Sequence, residues 1–285
     1  MKVAVLGCGA MGSRLVKRLL ATGHEVTVWN RDAGRLTVLV AEGATAALTP
    51  ADAASGADVV ITMVADDLAL RAVSEGADGL CAGITSGSCV IQMSTVSPSA
   101  VQRLSDVVPL GVELLDAPVL GSLAEVESGA LTIFVGGSQE LLDRMEPALS
   151  SLGTAIRVGE LGAGTAAKLV ANSTLLGCLA VLGESISLAH RMGLSSDTTF
   201  EVLETTPLAA QSARRREALE TGTFPPRFSL NLAHKDAQLV SAAATGNALD
   251  LRVASAVESW LRSGEEAGLG GADYSSLLSY IIGRT

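Results

Sequence analysis

Three glycines with the spacing Gly7-x-Gly9-x-x-Gly12 separate a short apolar run at the start of the chain from an amphipathic segment. A strand that turns straight into a helix needs this spacing when the turn carries a pyrophosphate. The first glycine permits the tight turn, the second lets the backbone approach the phosphates, and the third lets helix and strand pack closely. The first helical residues, Ala10 and Met11, would then direct their amides at the anion. A tight turn without a ligand is the alternative, but the position of the motif favours a dinucleotide.

Short apolar runs alternate with amphipathic segments over the first half of the chain, which is typical of a parallel, doubly wound sheet. The predicted strands are Val3–Leu6, Glu25–Trp29, Val59–Met63, Cys89–Gln92, Glu113–Leu115 and Leu131–Val135. Strand patterns fade after Gly164, where a long apolar helix reaching about Met192 is predicted. We therefore predict an α/β protein: a Rossmann-type domain over residues 1–161, followed by an all-helical domain over 162–285 that begins with a long interdomain helix.

The second predicted strand ends in Trp29-Asn30-Arg31. A site selective for NAD places a carboxylate near this position to bind the adenosine ribose 2′-hydroxyl. Asn30 carries no charge that would repel a 2′-phosphate, and Arg31 can pair with that phosphate through its planar guanidinium. Arg35 would share a helix face with Arg31 and assist it, whereas Asp32 is better explained as a helix N-cap. The sequence therefore predicts NADP(H) as the preferred cofactor, with NAD(H) possible.

The composition limits the classes of partner. Thirty acidic and twenty basic residues give a net charge of -10, which argues against nucleic acid because phosphate backbones require a basic face. The one basic cluster, Arg214-Arg215-Arg216, is interpreted as a solvated helix face. The most apolar segment, Ser173–Gly183, is shorter than the roughly 20 residues that cross a bilayer, so it is expected to be a buried helix.

Neither a metal site nor a disulfide framework is expected. The three histidines lack metal-ligand spacing, and the four cysteines form no CxxC pair. Unpaired cysteines and a first residue that leads directly into a strand, without a cleavable leader, favour a cytoplasmic protein.

Lys168 and Asn172 are four residues apart on the long apolar helix, and therefore lie on one face of it. A lysine in such surroundings is partly desolvated, which lowers its pKa toward the range that acid–base catalysis needs. The alternative is a lysine whose stem packs on the core while its ammonium group reaches water.

Five segments together resemble the β-hydroxyacid dehydrogenases, a family that includes 3-hydroxyisobutyrate dehydrogenase and the glyoxylate/succinic semialdehyde reductases. They are "VAVLGCGAMGSRLVKRLLATGHEVTVWNR", "STVSP" at 94–98, "DAPVLGS…GALTIFVGG" at 116–137, "GAGTAAKLVAN" at 162–172 and "FSLNLAHKDAQL" at 228–239. The resemblance implies that Lys168 is the catalytic acid/base and that Asn172 orients it and binds the substrate. It also implies a homodimer or homotetramer.

The resemblance assigns further residues to the site. Met63 and Val64 would contact the cofactor ribose, Ser94 the substrate and Thr95 the cofactor, and Lys235 would reach the cofactor near its nicotinamide. The two hydroxyl residues could instead cap the helix that starts near Pro98, and Lys235 could be a surface lysine with Asp236 as its ion-pair partner.

The substrate segment departs from the family pattern at Leu120, where many members have serine. Ser122 supplies a hydroxyl two residues later, and the amides around Gly121, Ser122 and Leu123 could still form an anion nest for a small carboxylate.

These observations predict an NADPH-preferring oxidoreductase that interconverts a small β-hydroxy acid and its semialdehyde or oxo acid without a metal. An imine reductase on the same scaffold is the alternative. Because those enzymes often have Asp or Tyr in place of the lysine, Lys168 favours a carbonyl substrate. A non-catalytic NADP-binding protein is the third hypothesis, and an intact Lys168–Asn172 pair argues against it.

Overall fold

The computed structural model describes residues 1–284, which form two compact units, Met1–Lys168 and Leu169 onward. The separation falls inside one long helix. The domain boundary that we placed at 161/162 therefore stays a prediction.

The first unit contains one nine-stranded sheet with the order β3-β2-β1-β4-β5-β6-β8-β7, and β9 pairs with β8. The strands are β1 (Lys2–Leu6), β2 (Glu25–Trp29), β3 (Thr45–Ala46), β4 (Val59–Thr62), β5 (Cys89–Gln92), β6 (Glu113–Asp116), β7 (Val119–Leu120), β8 (Leu131–Gly136) and β9 (Gly153–Gly159). The pairs from β3 through β6 are parallel, whereas β8 runs antiparallel to β6 and β7. The α/β prediction is thus confirmed, with an antiparallel pairing at one side that the sequence did not indicate.

Nine helices begin in the first unit and five lie in the second, among the described residues. In the first they are α1 (Ala10–Ala21), α2 (Thr37–Ala41), α3 (Pro50–Ala54), α4 (Asp67–Ser74), α5 (Leu80–Gly83), α6 (Pro98–Val107), α7 (Leu123–Ser128), α8 (Gln139–Leu149) and α9 (Ala163–Arg191), which continues into the second unit. The second unit adds α10 (Ser196–Glu204), α11 (Ala209–Thr221), α12 (Leu230–Gly246), α13 (Arg252–Gly264) and α14 (Leu277–Arg284). The all-helical character predicted for the C-terminal region is confirmed.

Alternate residues of the central strands pack into two different cores. In β1, Val3 and Val5 belong to one cluster with side chains of α1 and α8, while Ala4 and Leu6 belong to a second cluster with side chains of α4 and α6. Both faces of the sheet are therefore covered, which explains why these strands are uninterrupted apolar runs. The parallel strands all end at one edge, which is where their following loops meet.

The length of α9 corrects one expectation. Its 29 residues make it the one helix in the described part of the chain that is long and apolar enough to cross a membrane. The apolar segment at 173–183 is therefore part of a longer helix, and its own length does not decide whether the helix could cross a membrane. Half of the most apolar window is buried, however, and Leu176, Leu179 and Leu182 pack into the core of the second unit. A helix that packs in a protein core can also be long and apolar enough to cross a membrane, so length and composition alone are weak evidence for a membrane span.

The arginine triplet of α11 is not the solvated face that we expected. Arg214 is exposed, but Arg216 pairs with Asp197 and Glu220, and Arg215 is buried.

Candidate active site

The three glycines of the first loop have three distinct surroundings. Gly7 has a φ of +101°, and a Cβ atom there would lie 2.3 Å from the carbonyl oxygen of Met63. A Cβ on Gly12 would lie 1.9 Å from the carbonyl oxygen of Gly7, so only glycine lets α1 approach this turn. Around Gly9, by contrast, nothing lies within 4 Å of the Cβ position. The loop is therefore tightly packed at its first and third glycines and open at its second.

The start of α1 has the properties of an anion site. Gly9 is the N-cap and makes no side-chain cap hydrogen bond, and the first turn contains no acidic residue. The amides of Ala10, Met11 and Gly12 thus lie at the positive end of a 12-residue helix. Together with the open space at Gly9, this arrangement fits the pyrophosphate of a dinucleotide.

Asn30 connects the end of β2 to the glycine loop. Its Oδ1 accepts a hydrogen bond of 3.0 Å from the Cys8 amide, and its Nδ2 donates to the carbonyl oxygen of Asp32 over 2.9 Å. Burial raises the pKa of the Cys8 thiol to about 12, so this cysteine stays protonated beside the loop. Asn30 thus holds the loop in shape, a role that the sequence did not indicate, and its place in the cofactor site stays a prediction.

Arg31 is the side chain most available to a 2′-phosphate. It is exposed, and within residues 1–284 it has no hydrogen bond or ion pair. Asp32 caps the 3-10 turn Ala33–Leu36 by accepting from the Gly34 amide over 3.0 Å, which confirms the capping interpretation. Arg35 lies 3.6 Å from the Asp32 carboxylate. Because Arg31 precedes this turn, the helix face that we expected it to share with Arg35 does not form.

Replacing Arg31 by alanine is expected to raise the KM for NADPH roughly 10-fold or more, because a charge-assisted hydrogen bond to phosphate is lost. The KM for NADH should stay unchanged. Steady-state kinetics with both cofactors checks this, and Arg35→Ala is the matched control because that guanidinium already faces a carboxylate. An equal effect of Arg31→Ala on both cofactors would contradict a role in phosphate recognition.

The ends of β4 and β5 are joined through Ser94. The Ser94 hydroxyl accepts from the Val64 amide over 2.9 Å and donates to the Thr62 carbonyl oxygen over 3.3 Å, and the residue is 1% exposed. The Ser94 hydroxyl thus holds the Met63–Val64 segment in place, and its predicted contact with the substrate stays a prediction. Thr95, the next residue, is half-buried, and Ser97 rather than either predicted hydroxyl caps α6.

A buried carboxylate fixes the beginning of α9, the helix that carries Lys168. Asp116, at the end of β6, accepts from the amide and the hydroxyl of Thr165 over 2.6 and 2.8 Å, and it is 0% exposed. A Cβ on Gly164 would lie 2.2 Å from the carbonyl oxygen of Asp116. Lys168, three residues beyond Thr165 and half-buried, is thereby fixed relative to the sheet.

The burial of Asp116 is expected to make the stability of the protein depend on pH. Burial raises the pKa of the Asp116 carboxyl, and the two Thr165 hydrogen bonds only partly oppose this. An acid with a raised pKa in the folded state stabilises the fold below its unfolded pKa, and this contribution is lost as pH rises through the folded pKa. The wild type should therefore become more stable relative to Asp116→Asn as pH falls from neutrality toward about 4.

Urea unfolding of both proteins over this pH range measures that difference. Asparagine is a matched substitution, since its oxygen can accept from the Thr165 amide while its nitrogen donates to the hydroxyl. A difference in unfolding free energy that does not change with pH would contradict the raised pKa.

In the second unit, one buried carboxylate joins two of the predicted site residues. Asn172 is 2% exposed and its Nδ2 donates to Oδ2 of Asp236 over 2.7 Å. The Lys235 ammonium lies 2.8 Å from Oδ1 of the same carboxylate. Asn172 and Lys235 are thus held by Asp236, which is the ion-pair partner that the sequence offered for Lys235. The predicted contact of Lys235 with the cofactor stays a prediction.

Two donors of the predicted substrate segment, the amide and the hydroxyl of Ser122, are already bound within the protein. The amide and the hydroxyl of Ser122 both donate to one oxygen of Glu125, over 2.7 and 2.5 Å. Leu120 pairs with Thr132 in the sheet, and Gly121 has a φ of +141° with a Cβ position 2.7 Å from the Leu131 side chain. The carboxylate that the Ser122 donors bind is therefore the protein's own, and the substrate contact predicted for Gly121–Leu123 stays a prediction.

Two family models match successive parts of the chain. Residues 2–162 match the NAD binding domain of 6-phosphogluconate dehydrogenase, and residues 162–281 match the NAD-binding domain of NADP-dependent 3-hydroxyisobutyrate dehydrogenase. The 2-(hydroxymethyl)glutarate dehydrogenase of Eubacterium barkeri is 31% identical over 97% of this chain and 93% of its own. The glyoxylate/succinic semialdehyde reductase 1 of Arabidopsis thaliana is 30% identical over 99% and 98%.

The chain belongs to the β-hydroxyacid dehydrogenase family. Membership makes it an NAD(P)-dependent oxidoreductase of the dehydrogenase/reductase class that acts on CH–OH groups.

Solved structures of this family and of a more distant group share the fold. The 3-hydroxyisobutyrate dehydrogenase of Mycobacterium tuberculosis, with L-serine, is 25% identical with a TM-score of 0.89, covering 98% of both chains. An imine reductase of Myxococcus stipitatus is 22% identical with a TM-score of 0.68, covering 98% of this chain and 99% of its own, which establishes a common fold alone.

The sequence interpretation missed the contacts of two carboxylates, Asp116 and Glu125, and it named Asp236 only as a partner of Lys235. Only Glu125 had a readable signal, because Ser122-x-x-Glu125 is a capping-box pattern. Within the described chain no group of three or more His, Cys, Asp or Glu side chains is placed to hold a metal.

Proposed function

We propose that the protein is an NADPH-preferring enzyme that interconverts a small β-hydroxy acid and its semialdehyde or oxo acid. The observation that carries this proposal is the pair Lys168 and Asn172 on one face of α9, with the start of the helix fixed by Asp116 and the asparagine held by Asp236. The relatives support the substrate class, since one is named for a hydroxymethyl-substituted dicarboxylic acid and another for glyoxylate and succinic semialdehyde.

The cofactor would be held by the residues of the first unit. The open space at Gly9 and the amides of Ala10–Gly12 suit its pyrophosphate, and Arg31 suits a 2′-phosphate. When bound, the nicotinamide supplies or accepts a hydride. Thr95, Met63 and Val64 are the proposed contacts at the carboxyl ends of β4 and β5, and Lys235 is proposed to reach the cofactor from the second unit.

Lys168 acts on the substrate oxygen in this proposal. During reduction the carbonyl oxygen gains negative charge as the carbon receives hydride, and the Lys168 ammonium stabilises this charge and transfers a proton to the oxygen. The neutral amine is then reprotonated from solvent. In the oxidative direction Lys168 accepts the hydroxyl proton. Asn172 donates one Nδ2 hydrogen to Asp236, and its second Nδ2 hydrogen is proposed to bind the substrate oxygen.

The test is NADPH oxidation, with NADH in parallel, against glyoxylate, malonic, methylmalonic and succinic semialdehydes and one cyclic imine. We expect turnover of a semialdehyde and a higher kcat/KM with NADPH. Turnover of the imine alone would reject the carbonyl assignment in favour of imine reduction. Tight NADPH binding without any turnover would favour the non-catalytic hypothesis.

We also propose a cytoplasmic homodimer or homotetramer. Sedimentation of the purified protein tests the second half of this statement.

A further inference from the structure

Arg215 is the only lysine or arginine that is buried among the described residues; it is 7% exposed. Its neighbours on α11 are ordinary surface residues by comparison. Arg214 is exposed, and Arg216 forms ion pairs with Asp197 and Glu220. The burial of Arg215 is therefore specific to this position and does not extend to the rest of the triplet.

The contacts of the Arg215 guanidinium leave most of its donors unused. Its Nη2 donates to the Tyr274 hydroxyl over 2.7 Å, and its central carbon lies 5.2 Å from the centre of the same ring. The Nε atom is buried, and it has no hydrogen-bond partner among residues 1–284. In the part of the chain that the structure describes, no Asp or Glu lies within ion-pair distance of Arg215.

The carboxylate next to Tyr274 is fully used elsewhere. Asp273 accepts from the amides of Arg227 and Phe228 with one oxygen, and from the amide and hydroxyl of Ser275 with the other. Asp273 therefore accepts hydrogen bonds from a turn of the backbone, and among the described residues no carboxylate compensates the charge of Arg215.

A buried cation without a counter-charge is unfavourable, since burial removes hydration that only a paired anion replaces. A guanidinium offers a planar fork that matches a carboxylate through two parallel hydrogen bonds. A carboxylate from outside the described residues would therefore stabilise the buried Arg215 guanidinium.

We propose that Arg215 binds a carboxylate group of the substrate, an inference that rests on the proposed function. The nest at Ser122, where the family resemblance would place this group, is already occupied by the Glu125 carboxylate. Arg215 and the Tyr274 hydroxyl form an alternative receptor for the same group, and it lies wholly within the second unit.

The first test is the thermal shift of the full-length protein with NADP⁺, in the presence of 3-hydroxypropionate or of the uncharged 1,3-propanediol at matched ionic strength. 3-Hydroxypropionate should raise the Tm of the wild type by several degrees, and the diol should not. Arg215→Met should abolish the shift, and Arg215→Lys should retain only part of it because it keeps the charge without the fork. Arg214→Met is the matched control and should keep the full shift.

The second test separates this inference from the proposed function. With succinic semialdehyde, Arg215→Met should raise KM roughly 100-fold or more, while the NADPH KM stays constant. If the wild type turns over the semialdehyde and Arg215→Met has the same KM, the proposed function stands and the Arg215 inference is wrong. If the wild type shows the 3-hydroxypropionate shift but no turnover, and only Arg215→Met loses the shift, the carboxylate site stands and the proposed function is wrong.

Two further results would overturn the inference. The first is a wild type with neither a shift nor turnover. The second is an Arg215→Met variant that changes oligomeric state by sedimentation but keeps the shift, because the counter-charge would then come from a second copy of the chain.

Discussion

Replacing Lys168 by alanine is expected to lower kcat for semialdehyde reduction by about 1,000-fold, within the range that a positioned general acid contributes. The negative charge that develops on the carbonyl oxygen would lose both its nearest cation and its proton donor. The Kd for NADPH should stay within about twofold of the wild type, because Lys168 is not among the proposed contacts of the cofactor. Single-turnover NADPH oxidation and a fluorescence titration measure the two quantities separately.

The alanine substitution is a clean test because it leaves α9 intact. Alanine is the strongest helix former, and the helix start is held by Asp116 and Thr165, which the substitution does not touch. Lys17→Ala is the matched control, since it removes an exposed lysine that pairs with Glu42 and should leave kcat unchanged. Wild-type turnover in Lys168→Ala would reject the lysine as the acid/base, whatever the substrate.

The sequence predicted the strands that are long enough to show an apolar or alternating pattern. Strands β2 and β5 were predicted with the limits that the structure has, and β1 and β4 to within one residue. The strands β3 and β7 contain two residues each, which is too short for any periodicity to register. The antiparallel register of β8 depends on the return of the chain after β6, which no local pattern records.

In the candidate site, too, features set by neighbouring residues could be predicted, and contacts between residues far apart in sequence could not. Glycine positions were readable because backbone geometry alone excludes other residues. The side-chain contacts of Ser94, Arg215 and Asp116 were not, since their partners lie at least 30 positions away in sequence. A triplet such as Arg214-Arg215-Arg216 looks uniform in sequence, but helix geometry turns its members to different environments, and only one of them is buried.

Replacing Gly12 or Gly9 of the first loop by alanine should affect different properties of the protein. Gly12→Ala places a methyl group 1.9 Å from the Gly7 carbonyl oxygen, so α1 must move away from the turn. We expect a loss of about 3 kcal/mol in unfolding free energy and a fall in Tm of roughly 6 °C or more. Gly9→Ala meets nothing within 4 Å and has an ordinary φ of -74°, so its stability should change by no more than about 1 kcal/mol.

Cofactor affinity distinguishes the proposed role of Gly9 in cofactor binding from the role of Gly12 in packing. The methyl group of Gly9→Ala would occupy the open space at the start of α1, and the Kd for NADPH should rise roughly 10-fold or more while the fold is retained. Thermal unfolding and NADPH titration of both variants measure this contrast. Gly23→Ala is not a suitable control, because the φ of +86° at Gly23 would add backbone strain. If Gly9→Ala bound NADPH like the wild type, the open space at Gly9 would have no ligand to admit. The glycine spacing would then be explained by the packing of α1 against the turn, which requires only Gly7 and Gly12.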